Sequence, residues 1–160
     1  MSTVLCSDRD WLTSEEAFSI YASCMYQPTF DDFVAQMEEY LGDPSVKIFV
    51  CDIEGEKAGM LVLKEACTSE KTDVEPEAEI LGIAVKESLR KKGIGKDMVY
   101  QVMEAESLKK ITAQTDDDAI RFYRSSGFEA ERVVIEYPDG SAVRYNCVLY
   151  NESSKFATED

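Results

Sequence analysis

The chain contains no histidine. That absence excludes Ser-His-Asp and Cys-His nucleophile systems. It equally excludes zinc sites that need imidazole. Proton transfer therefore falls to Asp, Glu, Tyr, Lys, Cys, a terminus or water. Prolines number only four, and no stretch is of low complexity. No apolar run approaches the roughly 18 residues that a membrane helix needs. The first eight residues lack the basic start and apolar segment of a secretory signal. These absences lead to the expectation of a soluble cytoplasmic protein with no membrane partner. Basic residues are scarce, 17 against 32 acidic, for a net charge of −15. Such a chain repels phosphates, which argues against nucleic acid as a partner.

The imbalance is uneven. Residues 1–80 carry 5 basic and 18 acidic side chains, and residues 81–160 carry 12 and 14. An acidic N-terminal half would steer a cationic acceptor inward, although solubility alone explains it as well. Five cysteines stand at 6, 24, 51, 67 and 147. Their odd count and the lack of any Cys-x-x-Cys pair point to reduced thiols. Cys24, Cys51 and Cys147 lie in apolar contexts and read as small core residues. No metal site is expected.

At 160 residues and 44 % apolar content, one domain with a sizeable core is expected. The domain takes in 1–150, and 151–160 reads as a polar tail. A short strand at 3–6 precedes a helix capped by Thr13 or Ser14, whose apolar positions run from Ala17 through Tyr21 to Cys24 and Met25 before Pro28. Thr29 caps a second helix, which Gly42-Asp43-Pro44 stops. Strands at 46–53 and 58–63 flank a turn at 54–56, and an acidic loop at 67–77 leads to a strand at 78–85. A helix at 93–106 has an apolar side of Ile94, Met98, Val99, Val102 and Met103. A strand at 110–114, a helix capped by the acids at 116–118 and ended by Gly127, and a hairpin of 133–137 with 142–150 follow. The order β-α-α-β-β-β-α-β-α-β-β suits an α/β fold of the α+β type, a mixed sheet with helices on its faces.

One basic island interrupts the acidity. Lys86, Arg90, Lys91, Lys92 and Lys96 stand against the single acid Glu87 within residues 86–96. The island lies between the strand at 78–85 and the helix from 93. A helix start offers unpaired N–H groups and the positive end of the helix dipole, together an anion site. Gly93 and Gly95 allow close backbone approach. The segment lacks the Gly-Lys-Ser/Thr ending of a P-loop and the Gly-x-Gly-x-x-Gly of a dinucleotide fingerprint. The pyrophosphate of coenzyme A remains.

Arg90, Gly93 and Gly95 match Arg/Gln-x-x-Gly-x-Gly/Ala, and the segment resembles motif A of the GNAT superfamily of acetyl-CoA-dependent N-acetyltransferases. Ala119-Ile120-Arg121-Phe122-Tyr123, with Gly127-Phe128 after it, resembles that family's motif B. The resemblance spans about residues 78–128 in register and implies a GNAT fold of about seven strands and about four helices. It implies acetyl-CoA as co-substrate and a primary amine, of a small molecule or a protein, attacking the thioester directly. Homodimers are common among such proteins. The resemblance implies that Ile83, Ala84 and Val85 line the pantetheine arm, with an amide near Val85 assisting the thioester oxygen. The loop Lys91, Lys92, Gly93, Ile94, Gly95, with Arg90 and Lys96, would hold the pyrophosphate. Asp116, Ala119 and Phe122 would adjoin the cofactor.

Three departures stand out. Glu87 replaces a frequent Pro, Lys91 a frequent Gly, and Asp116 an Asn that often faces coenzyme A. Tyr123 matches a tyrosine near the coenzyme sulfur, a proton donor; a helix residue packed in the core is the bland alternative. Glu79 is the candidate base, directly or through water, or else one more solvent-facing acid. Strict alternation would put it on one face with Leu81, Ile83 and Val85. Tyr21, Tyr26 and Phe30 stand where the family's first helices border the acceptor, although aromatic stripes more often form core. A catalytically quiet acyl-CoA-binding module is the competing function.

Overall fold

A computed structural model describes residues 1–66 and 76–151. The acidic loop expected at 67–77, Cys67 included, and the expected tail lie almost wholly outside the described residues. The elements are β1 (Ser2–Leu5), α1 (Arg9–Leu12), α2 (Glu15–Tyr21), α3 (Phe30–Leu41), β2 (Val46–Ile53), β3 (Glu56–Glu65), β4 (Glu77–Val85), α4 (Ile94–Ala105), β5 (Lys110–Thr115), α5 (Ile120–Ser125), β6 (Glu129–Tyr137) and β7 (Gly140–Tyr150). Seven strands form one sheet in the order β1-β2-β3-β4-β5-β7-β6. Every described pairing is antiparallel except β4 with β5, which are parallel. This is the mixed α/β sheet that the element order implied. Among the described residues it carries five helices where about four were expected, because Asp8 caps the additional single turn α1 by accepting from the Trp11 amide.

β2 and β3 read as near-continuous apolar runs because both faces of the sheet are covered. Ile48, Val50, Met60 and Val62 pack under α1, α2 and α3 with Leu12, Ile20, Phe33 and Met37. Phe49, Leu61, Leu63 and Ile111 pack under α4 and α5 with Met98, Val99 and Val102. α3 begins in a full capping box, Thr29 accepting from the Asp32 amide and Asp32 from the Thr29 amide. α2 stops at Tyr21, well short of Pro28. Residues Ala22–Cys24 form a 3₁₀ turn, and Gln27 has φ of 41°.

The register of β4 departs from strict alternation. Val62 pairs with Gly82 and Leu63 with Ile80, so Leu81 is an extra, unpaired residue, a β-bulge. The bulge reverses the phase of the strand. Ala78 and Ile80 share the α4 and α5 face with Ile83 and Val85, while Gly82 and Ala84 face α2. Glu79 pairs with Lys64 one position from Leu63 and falls on the α2 face. The expected grouping of Glu79 with Ile83 and Val85 is therefore corrected: Glu79 shares its face with Gly82 and Ala84.

The bulge has a second effect. β4 and β5 pair only from Glu77 with Lys110 to Ile80 with Ala113. Past that point β4 stays on β3 as far as Val85, and β5 stays on β7 as far as Thr115. The two strands part, and the edge of β4 from Leu81 to Val85 loses its neighbour on that side.

Candidate active site

A cleft of about 1040 Å³ occupies this parting. It passes through the sheet. On one face its walls are the loop before α4, the start of α4, and Phe122 and Tyr123 of α5; on the other they are Ser23, Cys24, Met25 and Tyr26. Between the two, residues 81–85 of β4 and Gln114 and Thr115 of β5 form the rims.

The loop is shaped by two left-handed residues. Lys91 has φ of 66° and Gly93 φ of 79°. Lys91 thus holds the conformation natural to the glycine that often stands there in the resembling family. Arg90 turns its guanidinium inward, Nε donating to the Val85 carbonyl at 3.0 Å, and so ties the loop to the end of β4. The first backbone bond into α4 runs from Asp97 to Gly93, so the amides of Ile94, Gly95 and Lys96 emerge from the helix end. The two glycines serve different ends. Space is open around Gly93, whereas a Cβ on Gly95 would lie 2.7 Å from Phe122 Cε1. Gly93 is required by backbone conformation and Gly95 by packing on α5.

Arg90, Lys91, Gly93, Ile94, Gly95 and Lys96 all line the cleft; Lys92 does not. Ile83, Ala84 and Val85 line its rim, and Asp116, Ala119 and Phe122 its far wall. Asp116 is occupied locally, its Oδ1 accepting from the Asp118 and Ala119 amides at 3.1 Å each. The carboxylate at this departure from the family pattern therefore caps the approach to α5.

Tyr123 is buried and held edge-on between Phe122 and Phe128, with ring centroids 5.1 Å from each. No hydrogen bond among the described residues involves its hydroxyl. Burial pushes its pKa well above the ordinary tyrosine value. It is a polar group in an apolar socket at the cleft wall.

Glu79 is exposed and outside the cleft lining, three positions before Gly82 on the same face. Phe30 also lies outside, stacked on Phe33 and edge-on to Phe18. Tyr26 lines the cleft and is 90 % exposed. Tyr21 is buried with its hydroxyl against Gly82, where a Cβ would sit 2.0 Å from the oxygen. Burial, and the nearby Cys24 and Tyr40, push its pKa well above the ordinary tyrosine value. Cys51 and Cys147 are buried as expected, but Cys24 is exposed to the cleft. Protein encloses it on its other sides, so burial pushes its thiol up to about 12, and it is a poor nucleophile. Arg144 of β7 also reaches the cleft. No motif marked it, because its position depends on the pairing of β7 with β5.

Among the described residues, no group of three or more His, Cys, Asp or Glu could hold a metal ion. No helix there is long and apolar enough to cross a membrane.

Residues 14–128 match the family model described as Acetyltransferase (GNAT) family. The chain belongs to that family. No curated protein matches the sequence. Among solved GNAT-like structures, a Bacillus subtilis acetyltransferase in complex with CoA superposes with a TM-score of 0.64 at 22 % identity, over 93 % of this chain and 97 % of that one. The aminoglycoside acetyltransferase AAC(6')-Ib in complex with coenzyme A and kanamycin gives 0.62 at 21 %, over 96 % and 98 %. The ribosomal-protein-S18-alanine N-acetyltransferase from Escherichia coli gives 0.64 at 15 %, over 93 % and 92 %. At these identities the likeness is one of fold, and it extends over nearly the whole of each chain.

Proposed function

We propose that this GNAT acetyltransferase binds acetyl-CoA in the cleft and transfers the acetyl group to a primary amine by direct attack in a ternary complex. One observation carries the reading: a single passage joins the amide-lined start of α4 to the unpartnered hydroxyl of Tyr123 and opens on the far face of the sheet. The pyrophosphate takes the amides of Lys91 to Gly95, with Arg90 and Lys96 adding charge. The arm of the coenzyme runs along the free edge of β4 at Ile83 to Val85, where no strand lies on the β5 side and the coenzyme stands in for one.

The amine nitrogen attacks the thioester carbon, the C–N bond forms and the C–S bond breaks. Before the attack the cationic amine gives one proton to water, on the side where Glu79 lies; after it the adduct nitrogen has one more to lose, and the departing sulfur gains that one. The reference pKa of a thiol is about 8.5, and that of tyrosine about 10. Burial raises Tyr123 further, so full transfer from its hydroxyl to the thiolate is uphill. Tyr123 instead donates a hydrogen bond to the departing sulfur, and the proton comes from the cationic nitrogen of the adduct.

For the acceptor we propose a cationic amine. Two of the fold relatives above are described with an aminoglycoside or a ribosomal protein. Tyr26 presents an exposed ring at the mouth on the α2 face, a surface suited to cation–π contact. Release of free thiol from acetyl-CoA, with and without polyamines, aminoglycosides and lysine-bearing peptides, tests the reading. Amine-dependent release supports it. Binding of acetyl-CoA without release on any amine supports the quiet module instead, and no coenzyme A binding sinks both.

A further inference from the structure

The donor end of the cleft lies on the α4 face and the reactive end opens on the α2 face, so the acyl group emerges beside Ser23–Met25. What stands there is a closed polar cluster. The Tyr21 hydroxyl rests on Gly82, with Tyr40 and Cys24 near enough to bear on it electrostatically. Cys24 donates to the Tyr21 carbonyl at 3.2 Å and lines the cleft beside Gly82 and Ile83. Tyr21 is 2 % exposed and backed by Phe33, which has no exposure at all. Behind the cluster the core of α2, α3, β2 and β3 is filled. A longer acyl chain entering here meets a filled wall, with the Tyr21 oxygen directly on the Gly82 backbone and Phe33 behind it, and making room for it would mean overpacking a closed core.

We infer that Tyr21, Cys24 and Gly82 form an acyl-length stop that fits the two-carbon acetyl group and rejects chains of four carbons. The inference rests on the proposed placement of coenzyme A in the cleft and specifies its acyl chemistry. Gly82 is integral: with no side chain, it lets the Tyr21 oxygen close the floor directly over the backbone. Cys24 acts here as a wall and not as an acyl carrier, consistent with its raised pKa. Each methylene that a pocket excludes is worth about 10- to 200-fold in discrimination.

Binding tests the stop without knowledge of the acceptor. Dissociation constants for coenzyme A, acetyl-CoA and butyryl-CoA are measured by calorimetry on the wild-type protein and on Tyr21→Phe and Cys24→Ala. Acetyl-CoA is expected to bind about as well as coenzyme A, and butyryl-CoA, with two more methylenes, at least about 100-fold more weakly. Tyr21→Phe removes the oxygen over Gly82, and Cys24→Ala shortens the wall. Either should narrow the acetyl-to-butyryl gap to about threefold or less while coenzyme A affinity is retained. Two variants are used because one of them could disturb packing. Equal affinity for acetyl-CoA and butyryl-CoA in the wild type would overturn the inference. So would an unchanged gap in both variants. Failure of coenzyme A itself to bind would instead overturn the placement of the donor, a distinct result.

Discussion

Single residues divide into those whose role follows from their type and those whose role depends on neighbours distant in the chain. Tyr123 was legible because it sits in a motif, yet its socket between Phe122 and Phe128 and its raised pKa were not. Tyr123→Phe should lower kcat by about 10- to 100-fold, the worth of one hydrogen bond to a charged group, with KM for acetyl-CoA within about threefold. Thiol-release kinetics decide this, and unchanged kcat would remove Tyr123 from the mechanism. The direction of its pKa sets the pH dependence. The protonated hydroxyl is the useful form, and its loss lies above the ordinary value of about 10. From pH 7 to 10 kcat should therefore hold or rise as the acceptor amine deprotonates; a decline centred below pH 10 would contradict the assignment. Gly93 and Gly95 read alike in the sequence but are separable. Gly93→Ala places a Cβ at φ of 79°, at a cost of about 1 kcal/mol or more. It should weaken coenzyme A by about tenfold with little change in Tm, because the strain falls on the loop amides. Gly95→Ala must push Phe122 aside, an overpacking cost of about 1–3 kcal/mol. At about 2–4 °C per kcal/mol, thermal melting should fall by several degrees. Melting curves and calorimetry on the pair would show whether the two glycines part in this way.

Elements were more legible than their junctions. The strand and helix order follows from apolar period and caps, and Thr29 and Gly127 mark ends as their chemistry dictates. The bulge at Leu81 was not legible, since alternation gives no sign of an unpaired residue until the partner strand is placed. It governs which face Glu79 occupies and how far β5 stays beside β4. The end of α2 was missed for a related reason: Cys24 and Met25 keep helical spacing, but a 3₁₀ turn aims them at the cleft. Arg144 became visible only through the ladder of β7 on β5. Deletion of Leu81 should restore regular pairing with β3, bring β4 back beside β5 past Ile80, and close the passage. Far-ultraviolet circular dichroism should keep its sheet signal while coenzyme A binding falls by at least about 100-fold, the equivalent of two or more charge-assisted hydrogen bonds. Retained binding in a folded deletion variant would show that the parting of β4 and β5 does not hold the donor.

For the whole molecule, the contrast between a net charge of −15 and one basic loop has a measurable outcome. At about 10 mM ionic strength the screening length is about 30 Å, so an anionic coenzyme meets the field of the entire chain. At about 150 mM it is about 8 Å, and only the loop from Arg90 to Lys96 acts. Coenzyme A affinity should therefore rise from 10 mM to about 100 mM salt and then fall toward 1 M. A polyamine acceptor should weaken steadily over the same range. Titrations across salt would expose the maximum, and a monotonic decline for coenzyme A would mean that the distant acids exert no influence. The passage through the sheet carries a further consequence for how such a protein diversifies. On the proposed reading, residues that grip the donor belong to α4 and its loop, while those that greet the acceptor belong to the turn after α2, on the other side of a seven-stranded wall. Drift at Ser23, Met25 and Tyr26 can then redirect the enzyme toward a new amine without eroding its hold on the coenzyme, whereas Cys24 is held by the acyl stop. Two halves of one specificity thus evolve on separate surfaces, with the edge of β4 and Cys24 common to both.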